Sequence, residues 1–472
     1  MKKLISCLFL LIVLLIPNQT TAQNIDKKSV TGSWFGRISV SGISLRIVFN
    51  LSIIEADSLV ATLDSPDQGA RNIKLGPVTF DGKSIKISAG ALLAEYNGII
   101  QNDTLIDGTW KQAGNTIPLS LTKLKTKFTV NRPQEPRSPF PYTTEDVYFT
   151  NSEFIITLAG ILTMPEGDGP FPAVIMITGS GAQNRNEELM GHKPFWVIAD
   201  YLTRNGIAVL RYDDRGVGKS QGNYAAATSA DLATDAEAAF KYLKTNSMID
   251  PKAIGLIGHS EGGLIAPIVA SSNSQIAFIV SLAGPGVTGE QIILRQGTDI
   301  SSASGIDKKK INENLSTNKK LFEVIKKEQD NKKAVEEMTS LYREILRKQK
   351  ASSEETDQAL KAITASFNAE TISWFRYFIS TNPGDFWKKV KCPVLALNGE
   401  KDMQVAADEN LPAIEKALKS GGNNNIKTIK LEGLNHLFQH CKTGLPAEYG
   451  EIEETFSSEA LKIIVDWIRD LK

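Results

Sequence analysis

Five consecutive residues, Gly258-His259-Ser260-Glu261-Gly262, have the G-x-S-x-G spacing of a nucleophile elbow. The chemistry requires that spacing. A serine hydroxyl attacks an acyl carbon only if it projects from a sharp strand-to-helix turn. Small residues two positions away on either side let strand and helix come close. The alternative is a chance match in a glycine-rich turn. Context argues against it, because Ile254 to Ile257 reads as a buried strand and Leu264 to Ala270 as a helix.

The hydroxyl is inert until a neighbouring base takes its proton. The chain has four histidines. His259 lies inside the elbow and points the wrong way. His192 precedes a helix, and His440 reads as structural. His436, in Glu432-Gly433-Leu434-Asn435-His436, follows the last strand and is the expected base. An imidazole base needs an orienting carboxylate. Asn398-Gly399-Glu400-Lys401-Asp402 follows another strand, at the sheet edge where open α/β sheets build their sites. Asp402 is the expected acid, with Glu400 and Asp408 as fallbacks. A developing oxyanion needs two N–H donors. Glu261 supplies one, at the N-terminus of the elbow helix. Ser180, in Thr178-Gly179-Ser180-Gly181, supplies the other, with Gly181 as fallback.

With these residues, in the order Ser260, Asp402, His436, the chain resembles the α/β-hydrolase superfamily over roughly residues 145–472. More closely, it is similar to secreted or periplasmic bacterial esterases with an N-terminal β-domain and a helical cap. Asp213-Asp214-Arg215-Gly216-Val217-Gly218-Lys219-Ser220 and the Gly-Gly after Glu261 add to the likeness. The resemblance implies hydrolysis of a small-molecule carboxylic ester through an acyl-serine, with no cofactor and no metal. Thr178-Gly179 stands where the family usually has His-Gly. The Gly216–Ser220 stretch is not a phosphate loop, since the required first glycine is Asp213. A pairing of Arg215 with Glu261 beside the pocket is a further expectation.

The elements that must hold these groups fall into blocks. Gly32 to Lys123 shows seven short alternating runs separated by turns such as Asp81-Gly82 and Asn102-Asp103. That pattern predicts an antiparallel barrel or sandwich within residues 23–130, with Trp34 and Trp110 in its core. Pro133, Pro136, Pro139 and Pro141 mark residues 131–144 as a semi-rigid linker. Residues 145–286 and 391–472 alternate apolar strands with helices, the signature of a mostly parallel sheet covered on both faces. Residues 287–390 interrupt the alternation as a lysine-rich helical cap. Its aromatic cluster offers Trp374, Phe375 and Phe378 as substrate-binding residues.

Lys+Arg and Asp+Glu both number 53, a balance that gives no support for nucleic-acid binding. Residues 1–22 read as a cleavable signal peptide: Lys2 and Lys3, the apolar run Leu4 to Ile16, then Thr20-Thr21-Ala22. The run falls short of the about 20 residues that span a bilayer. A secreted or periplasmic enzyme with no stable membrane insertion is expected. Cys392 and Cys441 are expected as free thiols.

Two other readings stay open. The same triad can cleave amides, as an aminopeptidase or acyl-peptide hydrolase, with Glu323, Glu328, Glu336 or Glu337 anchoring a substrate amine. The β-domain can instead be a glycan-binding module beside an idle hydrolase.

Overall fold

The computed structural model describes residues 25–471 apart from 41–42, 55–56, 69, 113–114 and 127. The signal-peptide reading therefore lies outside the described residues.

Among the described residues, the N-terminal strands are β1 (Gly32–Val40), β2 (Ile43–Ile54), β3 (Ser58–Ser65), β4 (Ala70–Lys74), β5 (Val78–Phe80), β6 (Ser84–Ala89), β7 (Ala94–Asn102), β8 (Leu105–Gln112) and β9 (Asn115–Lys123). They form one antiparallel sheet in the order β4-β3-β2-β1-β9-β8-β7-β6-β5. The edge strands β4 (Ala70–Lys74) and β5 (Val78–Phe80) are consecutive in sequence, and Leu75 between them donates to the carbonyl of Ala61 on β3 (Ser58–Ser65). The sheet thus curls back around a single core. Trp34, Phe49, Tyr96 and Trp110 fill it, so both tryptophans are packing residues. The pattern of seven runs missed β4 and β5. They are short, and no residue in them is fully buried, so the apolar alternation that marks a strand is weak there.

The second region holds strands β10 (Tyr142–Asn151), β11 (Ile156–Pro165), β12 (Phe171–Ile177), β13 (Ala208–Tyr212), β14 (Ile249–His259), β15 (Ile279–Leu282), β16 (Val394–Gly399) and β17 (Ile426–Leu431). They form a mixed sheet in the order β10-β11-β13-β12-β14-β15-β16-β17. Only β11 runs against its neighbours, pairing antiparallel with both β10 and β13, and the remaining pairs are parallel. The central strands are buried on both faces, which explains their continuous apolar runs. On β12 (Phe171–Ile177), Ala173, Ile175 and Ile177 pack with α2 (Ser229–Leu243), α3 (Gly262–Ser272) and α10 (Ala407–Ser420). The alternate residues Val174 and Met176 pack with α1 (Pro194–Arg204) and α11 (Ser458–Asp470) on the other face. Each fully buried valine, isoleucine or methionine among them contributes about 1.5–3 kcal/mol.

Between β15 (Ile279–Leu282) and β16 (Val394–Gly399) the chain runs through helices α4 (Gly289–Ala303), α5 (Lys308–Lys327), α6 (Asn331–Lys348), α7 (Ser353–Ser366), α8 (Ile372–Ser380) and α9 (Gly384–Trp387). Their apolar faces form a separate cluster that reaches Leu264 on α3, which seats this layer over the start of the elbow helix.

The proline-rich segment is docked along the second region. Buried Arg132 donates to the carbonyls of Met190, Gly191, Gly450 and Ile452. Gln134 exchanges hydrogen bonds with the backbone of Thr455 and Phe456. From the β-domain, Arg46 is paired with buried Asp67 and also donates to the carbonyl of Gly450.

Candidate active site

Ser260 sits in the turn between β14 (Ile249–His259) and α3, at φ +52°. A non-glycine residue rarely adopts this left-handed conformation, and its cost is tolerated where surrounding structure imposes it. Here the surroundings are two close backbone approaches. A Cβ on Gly258 would run into Gly262, and one on Gly262 into the carbonyl of Ile177. The Ser260 N–H is fixed to the carbonyl of Leu282 at 2.8 Å.

Asp402 and His436 come together from different strand ends. Asp402 follows β16, and His436 follows β17 (Ile426–Leu431). Asp402 Oδ2 lies 2.8 Å from His436 Nδ1, and both side chains are buried. The other carboxylate oxygen accepts the N–H groups of Gln404 and Val405 at 2.8 and 2.9 Å, so the acid is held by its own loop. Among the described hydrogen bonds none yet joins Ser260 Oγ to His436, a contact that often tightens only when substrate binds. The two fallback acids are elsewhere. Glu400 accepts from the N–H of Gly433, and exposed Asp408 faces Arg295.

The turn after β12 lies against the elbow, with the Cβ of Ser260 only 3.3 Å from where a Cβ on Gly179 would be. Neither the Ser180 N–H nor the Glu261 N–H meets an acceptor among the described residues. The Gly181 N–H is taken by the hydroxyl of Tyr224 at 2.9 Å, which removes the fallback donor.

Arg215 does not pair with Glu261. It makes two bonds to Asp235 on α2 and stacks over Phe154. Both side chains of that ion pair are buried, and this satisfies the guanidinium away from the elbow. Glu261 is instead buried against Ser229 and Trp374. Its Oε1 accepts from the Ser229 hydroxyl and from the Trp374 indole N–H at 2.7 Å, and its Oε2 has no partner among the described residues. Burial pushes its carboxyl above the usual value, against both hydrogen bonds. Asp214, nearby and also buried, is pushed by burial up to about 8, although the Gln183 N–H and the Thr178 hydroxyl favour its charged form.

The three aromatic residues divide. Trp374 and Phe378 stack at 5.5 Å on one face of α8, with Trp374 reaching Glu261. Phe375 turns into the helical layer's own core between Phe322 and Phe367, so it is a packing residue. The acidic residues named as amine anchors do not converge. Glu323, Glu336 and Glu337 are exposed, and Glu328 closes its own turn through the Asp330 N–H. Cys392 and Cys441 are both free, and burial pushes the Cys392 thiol up to about 12, far from a reactive thiolate. No group of three or more potential metal ligands occurs among the described residues.

Two features here had no signal in the sequence. Glu187, in the loop after the Ser180 turn, accepts the Gly179 N–H at 2.6 Å and lies 2.9 Å from His259 Nδ1. Tyr224 reaches the same turn from the segment before α2. Neither lies in a recognisable spacing.

Residues 195–440, just over half of the chain, match the family described as serine aminopeptidase, S33. Esterase EstD of Thermotoga maritima is 26% identical over 313 residues, 65% of each chain, so this chain spans just under two thirds of that relative's length. Among solved structures, the Pyrococcus furiosus esterase Pf2001 aligns with a TM-score of 0.42 at 18% identity, covering 72% of this chain and 99% of its own. Est1E of Butyrivibrio proteoclasticus, solved with ferulic acid bound, aligns with a TM-score of 0.39 at 17% identity, covering 69% and 96%.

Proposed function

From the premise that the chain belongs to the serine aminopeptidase S33 family of α/β-hydrolases, we propose that it is a serine esterase acting on small carboxylic esters. One observation carries the reading: the 2.8 Å contact of Asp402 with His436, on the sheet edge that also presents Ser260 at its strained turn. In this reading Ser260 Oγ attacks the acyl carbon while His436 takes its proton. Asp402 holds the imidazole in the tautomer that leaves Nε2 free, and stabilises its charged form. The N–H groups of Ser180 and Glu261 receive the oxyanion. Each such donor lowers the barrier by about 3 kcal/mol. His436 then returns the proton to the departing alkoxide, and water releases the acyl group by the same route.

The test is turnover of p-nitrophenyl acetate, butyrate and octanoate by the wild-type chain and by Ser260→Ala, with fluorophosphonate labelling alongside. Activity and labelling that vanish together in the variant support the reading. Equal activity in both proteins removes it.

A second reading, cleavage of aminoacyl substrates, is favoured by Glu261. A buried carboxyl next to the nucleophile with one unpartnered oxygen suits a substrate that donates a hydrogen bond or carries an ammonium group. Faster turnover of aminoacyl p-nitroanilides than of p-nitrophenyl esters, lost in Glu261→Gln, would favour it.

A further inference from the structure

We propose that Glu187 and His259 form a buried ion pair that positions the nucleophile, base and oxyanion segments together, with His259 doubly protonated at working pH. The proposal rests on the serine-hydrolase reading above.

Three contacts meet on this pair. Glu187 Oε1 accepts the N–H of Gly179, the residue before Ser180. The same oxygen lies 2.9 Å from Nδ1 of His259, the residue before Ser260. The other ring nitrogen, Nε2, lies 3.0 Å from the carbonyl oxygen of His436. Each of the three segments is thus tied at the reacting residue or its immediate neighbour. Glu187 reaches them from its own loop at φ +49°, a conformation held by this surrounding structure.

The protonation state follows from the partners. A carboxylate and a backbone carbonyl only accept hydrogen bonds. Both nitrogens of His259 face such acceptors, so the ring satisfies both only as an imidazolium. Burial alone opposes that charge. The charge and hydrogen bond of Glu187 outweigh it, aided by the His436 carbonyl and by Asp402, and the imidazole stands above its ordinary value. The other titratable groups around the pair are the His436 ring, 4.8 Å from that of His259, and Asp214, whose carboxyl the charge of Glu187 helps to push up. Both members are nearly excluded from solvent, and removing one leaves the other a buried, uncompensated charge.

A pair that only stabilised the fold would leave the folded protein's chemistry unchanged, so the readout is kinetic. Glu187→Gln keeps an acceptor for Gly179 but withdraws the charge. With p-nitrophenyl butyrate, kcat should fall about 10²-fold with KM little changed, the scale expected when reacting groups shift by about 1 Å. His259→Gln should behave alike, and Glu187→Asp should recover part of the loss. A thermal melt shows that each variant is folded at the assay temperature. Folded Glu187→Gln with wild-type kcat overturns the proposal.

The second measurement needs no variant fold beyond assignment. With four histidines in the chain, ring ¹⁵N shifts of the wild-type protein can be followed from pH 5 to 8. His259 should keep an imidazolium signature at pH 8, where an ordinary histidine of pKa about 6.5 is neutral. A neutral ring at that pH overturns the proposal. If Ser260→Ala retains activity, the hydrolase reading itself fails. Full activity in Glu187→Gln beside a dead Ser260→Ala rejects the ion pair's role alone.

Discussion

The indole N–H of Trp374 donates to Glu261 at 2.7 Å and so joins helix α8 to the residue after Ser260. Glu261 also offers its backbone N–H to the proposed oxyanion site. The helical layer above the sheet is therefore hydrogen-bonded directly to the elbow.

Trp374→Phe tests that bond. Phenylalanine keeps the stack on Phe378 but leaves the buried Glu261 with Ser229 alone. Loss of one partner from a buried carboxyl costs about 1–3 kcal/mol. The guanidinium unfolding midpoint should drop accordingly, and Glu261→Leu, which removes the acceptor, combined with Trp374→Phe should lose less than the two single changes summed. Strict additivity would show that the two side chains do not interact.

Asp402→Asn should cost about 10⁴-fold in kcat with little loss of stability. The amide oxygen can still accept from Gln404 and Val405, so the loop survives. Its NH2 then faces His436 Nδ1, which reverses the ring tautomer and puts the proton on the nitrogen that must act as base. Steady-state kinetics with a melt as control read the result. A loss below tenfold would remove Asp402 from the orienting role.

Asp214 predicts a pH dependence of stability. Its folded value of about 8 stands above the ordinary 3.8, because burial disfavours the charged form. Between those values the folded chain holds the proton more tightly than the unfolded one. The stabilisation from this group is whole below about pH 4 and is lost as pH rises through about 8. Asp214→Asn, neutral throughout, can turn its oxygen to the Gln183 N–H and its NH2 to Thr178 Oγ1. Its stability relative to wild type should therefore climb with pH, by up to about 1.4 kcal/mol per unit. Urea midpoints of both proteins at pH 5 and pH 8 measure the slope, and parallel curves would show that Asp214 is ionised when folded.

What could be read from the chain divides by range. The elbow is a local steric demand, so its glycines declare it within five residues. Buried parallel strands declare themselves as continuous apolar runs, and the residues just past β16 and β17 lie at one sheet edge by topology alone. The approach of Asp402 to His436 could be expected for that reason. The partners of Glu261 could not. Arg215, Ser229 and Trp374 are all plausible neighbours in sequence terms, and only packing shows that Asp235 claims the arginine. Glu187 stands 72 residues from His259, in a loop without periodicity, and a through-space contact of that kind leaves no spacing to detect. Phe375 misled because adjacent aromatics on a helix point to different faces.

The carbonyl of Gly450 receives both Arg46 and Arg132, residues made 404 and 318 positions earlier. At about 5–20 residues per second, the acceptor emerges roughly 20–80 s after Arg46. During synthesis the curled sheet must therefore stand on its own aromatic core, with the Arg46–Asp67 pair already made and its docking face bare. The junction closes only after Gly450 has emerged, so chains truncated before Gly450 should hold a folded first domain carrying an unsealed surface.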